Sequence, residues 1–144
     1  MRSSNHRQPM KYFTIGEFIR SETADRYGIS NRLPSMTESE NIHQLVVNVL
    51  DPLREAYGKP IRVSSGYRCP RLNALVGGSP TSDHMTGCAA DIQSVPNDPA
   101  ENRRLFDLIR KLGLPFDQLI DEKGMSWVHV SFRVKGNRGQ VFKL

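Results

Sequence analysis

Cysteine is scarce in this 144-residue chain, with only Cys69 and Cys88 present. Two are too few for a disulfide scaffold, and no CxxC pair marks a zinc ribbon or a redox site; whether the two thiols bridge is left open. Long apolar runs are also missing. None approaches the roughly 18 residues that cross a bilayer, so membrane insertion is not expected. The opening MRSSNHRQPMKYF has basic residues but no apolar core of a secretory signal behind them, which makes cytoplasmic synthesis the expectation. Aromatics amount to 8% of the chain and form no stripe interleaved with basic residues, while Lys and Arg are dispersed among Asp and Glu. That pattern argues against a base-stacking nucleic-acid binder. No internal repeat or low-complexity tract is visible.

What is there suits one globular domain, with 38% hydrophobic residues and a length that supports a single core. A net charge of +5 favours anionic partners such as a bacterial cell wall, or serves simple solubility. Residues 1–12 read as a loose N-terminal arm, and 13–144 as the domain. Ile15, Phe18, Ile19 and Ala24 have roughly helical spacing that predicts one short helix stopped by Gly28. Thr37 and Glu40 form a T-x-x-E capping box before a core helix bearing Ile42, Leu45, Val46, Val49, Leu50 and Leu53. Pro52 should kink that helix.

IRVSS reads as a strand, and the turn-rich GYRCPRLNALVGGSPTSDH as a long functional loop with one helical turn at Pro70 to Val76. CAADIQSV is a buried strand. Asp98, Pro99 and Glu101 cap a helix that Gly113 ends. FDQLIDE, SWVHVSFRV and GQVFKL predict three strands in a meander, joined by KGM and KGNR. The sum is α+β, an antiparallel sheet with helices on one face and a zinc site on the other.

The polar residues inside strands carry the functional signal. A carboxylate within CAADI is costly to bury unless it is paired, hydrogen-bonded or bound to a metal, so Asp91 needs a partner. His129, between Val128 and Val130, is aimed by strand alternation at the face opposite the valines. Zinc takes imidazole nitrogen and carboxylate oxygen, and catalytic sites use three protein ligands. His84, Asp91 and His129 supply that set. The spacing is not the helical H-E-x-x-H arrangement, so the site has to be assembled from a loop and separate strands.

SSGYRCPRLNALVGGSPTSDHMTGCAADI, followed by FDQLIDE and WVHVSF, resembles the zinc D-Ala-D-Ala carboxypeptidase family over most of the chain. That family includes vancomycin-resistance dipeptidases and carboxypeptidases and phage L-Ala-D-Glu endolysins, and it is related in fold to the hedgehog signalling domain. Its S-x-H-x-x-G-x-A-x-D element is filled by Ser82, His84, Gly87, Ala89 and Asp91. The resemblance implies one zinc ion on His84, Asp91 and His129, with Ser82 and Arg68 contacting substrate and a glutamate as base. Arg68 suits a peptide carboxylate because a guanidinium can hold it bidentately; the alternative is an exposed surface arginine.

Several family members carry the catalytic carboxylate three residues before the last histidine, where this chain has Ser126. FDQLIDE resembles the strand that in hedgehog-like and related members ends in the zinc-water glutamate, which implies Glu122 as the leading base and Asp121 as the fallback, with Trp127 close to Glu122 across the hairpin. Gln118 shares the parity of Glu122 and either lines the pocket or makes a structural hydrogen bond. The implied substrate is a bacterial peptidoglycan stem peptide, cut at D-Ala-D-Ala or at L-Ala-D-Glu. The expected protein is a monomer, either phage- or prophage-encoded and acting on the cell wall or a recycler of wall peptides in the cytoplasm. The rival expectation is a binding module that kept the fold and lost catalysis.

Overall fold

Short capped helices open the chain because polar cap residues recur there at close intervals. Thr14 caps α1 (Ile15–Ile19) in a reciprocal box with Glu17, and Ser21 caps α2 (Glu22–Arg26). The single helix expected across this stretch is therefore two, broken where Arg20 turns extended and Ser21 restarts the count. The computed structural model describes residues 7–144. Residues 1–6 of the expected arm lie outside the described residues. The described part of the chain is tied down from its start: Arg7 pairs with Glu40 at 2.6 Å, the Gln8 carbonyl lies 2.6 Å from His43 Nε2, and the buried carboxylate of Asp51 accepts the backbone N–H groups of Lys11 at 2.7 Å and Tyr12 at 3.0 Å.

The cap of the main core helix lies two residues before the expected one. Ser35, not Thr37, caps α3 (Met36–Leu45), with its hydroxyl accepting from the Thr37 backbone and donating to Glu38. The helix widens into a π-helical turn (Val46–Leu50) and continues as α4 (Asp51–Tyr57), ended by the left-handed Gly58. Pro52 sits at the head of α4, so the wide turn before it absorbs the misfit expected as a kink.

The sheet has five strands: β1 (Ile61–Ser65), β2 (Ala89–Ser94), β3 (Gln118–Glu122), β4 (Trp127–Ser131) and β5 (Gln140–Lys143). Their order is β1-β2-β4-β3-β5, antiparallel except for β5, which runs parallel to β3. The expected three-strand meander is thus corrected, because β2 occupies the free edge of β4 and the last strand has to cross to β3. Asp117 anchors that crossing: buried, it binds the Arg138 guanidinium at 2.8 and 2.9 Å, and its carbonyl accepts from Gln140.

Between β1 and β2 lie α5 (Pro70–Leu75) and a 3-10 turn (Asp83–Thr86). The amphipathic α6 (Pro99–Lys111) crosses back over the sheet, capped by Asp98. Its Leu105, Phe106 and Ile109 join Ile42, Leu45, Val49 and Leu53 against Ala90, Ile92, Leu119, Val128 and Val130, forming one hydrophobic core. At about 25 cal/mol per Å² of apolar area, this burial is the main stabilising term. The result is a single-domain α+β fold whose helical layer covers one sheet face.

Candidate active site

Strand register decides which side chains meet on the other face. Asp91 pairs with His129, His129 with Ile120, and Glu122 with Trp127, so these five project together while their neighbours enter the core. Ser65 pairs with Asp91 and Arg62 with Gln93, which a bulge at Ser64 makes compatible with one shared face. His84 arrives from the 3-10 turn. Ser82 caps that turn by accepting the His84 backbone N–H at 3.1 Å, and Gly87 leaves it at φ 80°. A side chain at Gly87 would also meet the Glu38 carbonyl at 2.7 Å, so the glycine permits both the turn and its packing on α3.

Ligand-capable atoms of His84, Asp91 and His129 all lie within 4.8 Å of one another. Asp91 Oδ1 is 3.3 Å from His84 Nε2 and 3.0 Å from His129 Nδ1. His84 Nδ1 donates to the Gly66 carbonyl at 2.7 Å, an oxygen that can only accept. In a neutral His84, Nε2 is therefore a bare lone pair facing a carboxylate oxygen, an arrangement that calls for a proton or a cation between them. Tetrahedral zinc with bonds of about 2.0–2.1 Å separates neighbouring ligands by about 3.3–3.4 Å, close to what the two contacts show. Two nitrogens and one oxygen at these separations fit the metal. Burial alone would push the Asp91 carboxyl up, but the charge on His84 and the hydrogen bond from His129 outweigh it and hold the carboxyl well below the usual range.

Glu122 and Asp121 part company. Glu122 is half-buried on the cluster's face, and burial, then the Asp91 charge, pushes its carboxyl up. Asp121 is 3% exposed on the helical side, where it accepts from Arg103 at 3.1 Å and from the Met125 backbone at 3.0 Å. Arg68 stands beside the cluster, its guanidinium pushed down by burial and up by the charges of Asp91 and Glu122, with Nη2 3.4 Å from the Ser82 hydroxyl. Its Nε is buried without a partner among the described residues, as is Nε1 of Trp127. The Gln118 amide donates to Gln140 at 3.1 Å, tying β3 to β5. Ser126 belongs to the β3–β4 turn, where its hydroxyl donates to the Lys123 carbonyl at 2.6 Å. Both cysteines are free.

Two supporting residues escaped the sequence reading. Gly66 orients His84, and a side chain there would strike the Phe18 backbone at 2.6 Å; the glycine of SGYR was the available signal. Buried Asn31 donates to the carbonyls of Ile19 and Tyr67 and accepts from the Cys69 backbone, which fixes the segment carrying Arg68. An asparagine in the loop NRLPSM gave no such sign.

Compared with curated proteins, the chain has no match. The model of the family described as Peptidase M15 matches residues 11–131, a span holding the His84, Asp91 and His129 cluster, Glu122 and Arg68. The chain belongs to the peptidase M15 family, which makes it a metallopeptidase by kinship.

Proposed function

We propose that this protein is a zinc-dependent hydrolase that cuts peptide bonds in bacterial peptidoglycan stem peptides, of the D-Ala-D-Ala carboxypeptidase or L-Ala-D-Glu endopeptidase type. The observation that carries the reading is the convergence of His84, Asp91 and His129 within 4.8 Å, on the sheet face that also bears Glu122. His84 Nε2, one Asp91 oxygen and His129 Nδ1 would hold the ion. Zinc in such a site supplies a Lewis acid that makes water nucleophilic near neutral pH and draws electron density from a carbonyl.

The remaining work falls to the chain's own groups. Glu122, with no side-chain hydrogen bond among the described residues and a raised pKa, takes a proton from the attacking water and delivers it to the leaving amine. Arg68 holds a substrate carboxylate through its guanidinium fork, with Ser82 beside it. Trp127, part-buried opposite Glu122, offers its ring to the peptide. Gln118, bonded to Gln140, steadies the pocket wall.

The test begins with zinc per chain in protein purified without added metal, for the parent and His129→Ala. About one ion in the parent and a large loss in the variant are expected. Digestion of purified peptidoglycan, with mass spectrometry of the released peptides, then identifies the bond. Glu122→Ala should keep zinc and lose hydrolysis. A zinc-loaded parent that releases no peptide would favour a wall-binding module instead.

A further inference from the structure

A cleft of about 680 Å³ runs along β1, lined by Arg20, Glu22, Arg62, Ser64, Tyr67 and Arg68 among others. Arg68 is used by the reading above; Arg20 and Arg62 are not. β1 is an edge strand, and among the described residues no segment outside the sheet bonds its backbone between Ile61 and Ser65. The wall is therefore open to an extended chain. Arg62 and Ser65 share the face of the metal-binding cluster through their pairing with Gln93 and Asp91.

The charge of this cleft is unspent. Arg103, Arg104, Arg133 and Arg138 each hold a carboxylate within ion-pair distance elsewhere. Arg20, Arg62 and Arg68 form no such pair among the described residues, and Glu22, on the same wall, pairs with none of them. Three guanidinium groups around one cleft, none neutralised, favour a ligand with more than one carboxylate.

We propose that Arg62, with Arg20 nearby in the same cleft, forms a second carboxylate subsite that selects peptides bearing an additional acidic group roughly two residues from the cleaved bond. The spacing comes from β2, where Gln93 beside Arg62 lies two residues from Asp91, a step of roughly 7 Å in extended chain. The subsite rests on the peptidase reading for its peptide but not for its chemistry: the guanidinium fork recognises the carboxylate whether or not the bond is cut.

The test uses the zinc-loaded full chain and synthetic L-Ala-γ-D-Glu-meso-diaminopimelate-D-Ala-D-Ala. This peptide is compared with two versions carrying a carboxamide in place of the free carboxyl on the second or the third residue. Binding is measured by calorimetry with Glu122→Gln, so that peptides stay uncut, and KM and kcat with the parent. One amidation should weaken binding and raise KM by about fivefold, with kcat little changed, as suits exposed arginines. Arg62→Gln should reduce that discrimination below about twofold, and Arg62→Lys should restore part of it.

The subsite is overturned if the three peptides bind alike or not at all, or if discrimination survives in both Arg62→Gln and Arg20→Gln. Discrimination in binding that depends on Arg62 but comes without cleavage by the parent would keep the subsite and sink the hydrolase. Cleavage without discrimination would do the reverse.

Discussion

The two faces of the sheet use the same residue types for opposite ends, and β3 shows it in two consecutive carboxylates. Asp121 faces the helices, where every interaction it makes fastens structure: the Arg103 ion pair and the Met125 N–H that closes the β3–β4 turn. Glu122 faces the cluster of His84, Asp91 and His129, half-buried and without a side-chain hydrogen bond among the described residues, and its affinity for a proton rises accordingly. A satisfied carboxylate stabilises the fold and is chemically inert, whereas one left desolvated and unpaired is available to move protons. Alternation along a strand is enough to separate the two roles by one residue.

The sharpest way to break this comparison is to remove the cluster's shared ligand. Asp91→Ala should reduce zinc from about one ion per chain to a small fraction and abolish hydrolysis, because both imidazoles converge on that carboxylate. Metal analysis after gel filtration reads it directly. Chelation of the parent should give the same loss, reversed by added zinc. Full zinc occupancy in Asp91→Ala would mean that the face holds its ion by other groups.

Next comes the pair on β3. Glu122→Gln should lower kcat by about 10²–10⁴-fold, the usual worth of a positioned general base, with zinc content and melting temperature kept. Asp121→Ala should do the opposite, costing about 1–3 kcal/mol of stability by stranding the buried Met125 N–H, while kcat per folded molecule changes little. Steady-state kinetics and chemical denaturation on both variants give four numbers that either cross in this manner or exchange the two roles.

How much of this was legible follows from which interactions are local. The convergence of His84, Asp91 and His129 could be read because strand alternation aims His129 and Asp91, and the Ser82–Asp91 element is continuous in sequence. The parity that sends Glu122 and Asp121 to opposite sides was equally local. Cap positions were less secure: Ser35 and Thr37 both suit an N-cap, and the choice fell to Ser35 because Glu38 reciprocates. The fate of β5 was not legible. KGNR looks like a hairpin turn, yet β4 has no free edge once β2 docks, and Asp117 draws Arg138 to the far side of β3 across 21 residues. Partner choice between strands is a long-range decision that a local pattern does not record. The cleft along β1 was invisible for the same reason, since Arg20 and Arg62 meet only in the fold.

The smallest expected effect contrasts Glu122 with another glutamate. Glu101, expected to close the cap of α6, instead ties α6 to the end of α4: it accepts from Lys59 at 2.6 Å and from Arg104 at 3.1 Å, and it takes the Tyr57 hydroxyl. The Lys59 and Tyr57 hydrogen bonds hold its carboxyl at about 2, below the ordinary 4.5, the reverse of the shift at Glu122. A carboxylate whose pKa falls on folding contributes stability above its unfolded pKa and loses it as pH drops, here between about 4.5 and about 2. Tyr57 acts at the other end. Burial, then the Glu101 hydrogen bond, pushes its hydroxyl up to about 12 from 10.0, so stability falls as pH rises through that interval. Melting temperature against pH should therefore decline at both ends. Glu101→Gln should flatten the acid decline and lower the plateau slightly, since Glu101, with its side chain 24% exposed, is partly screened. Superimposable curves for parent and variant would mean that Glu101 adds no charge-dependent stability, and would leave Asp121 with Arg103 as the helical side's counterpart to Glu122.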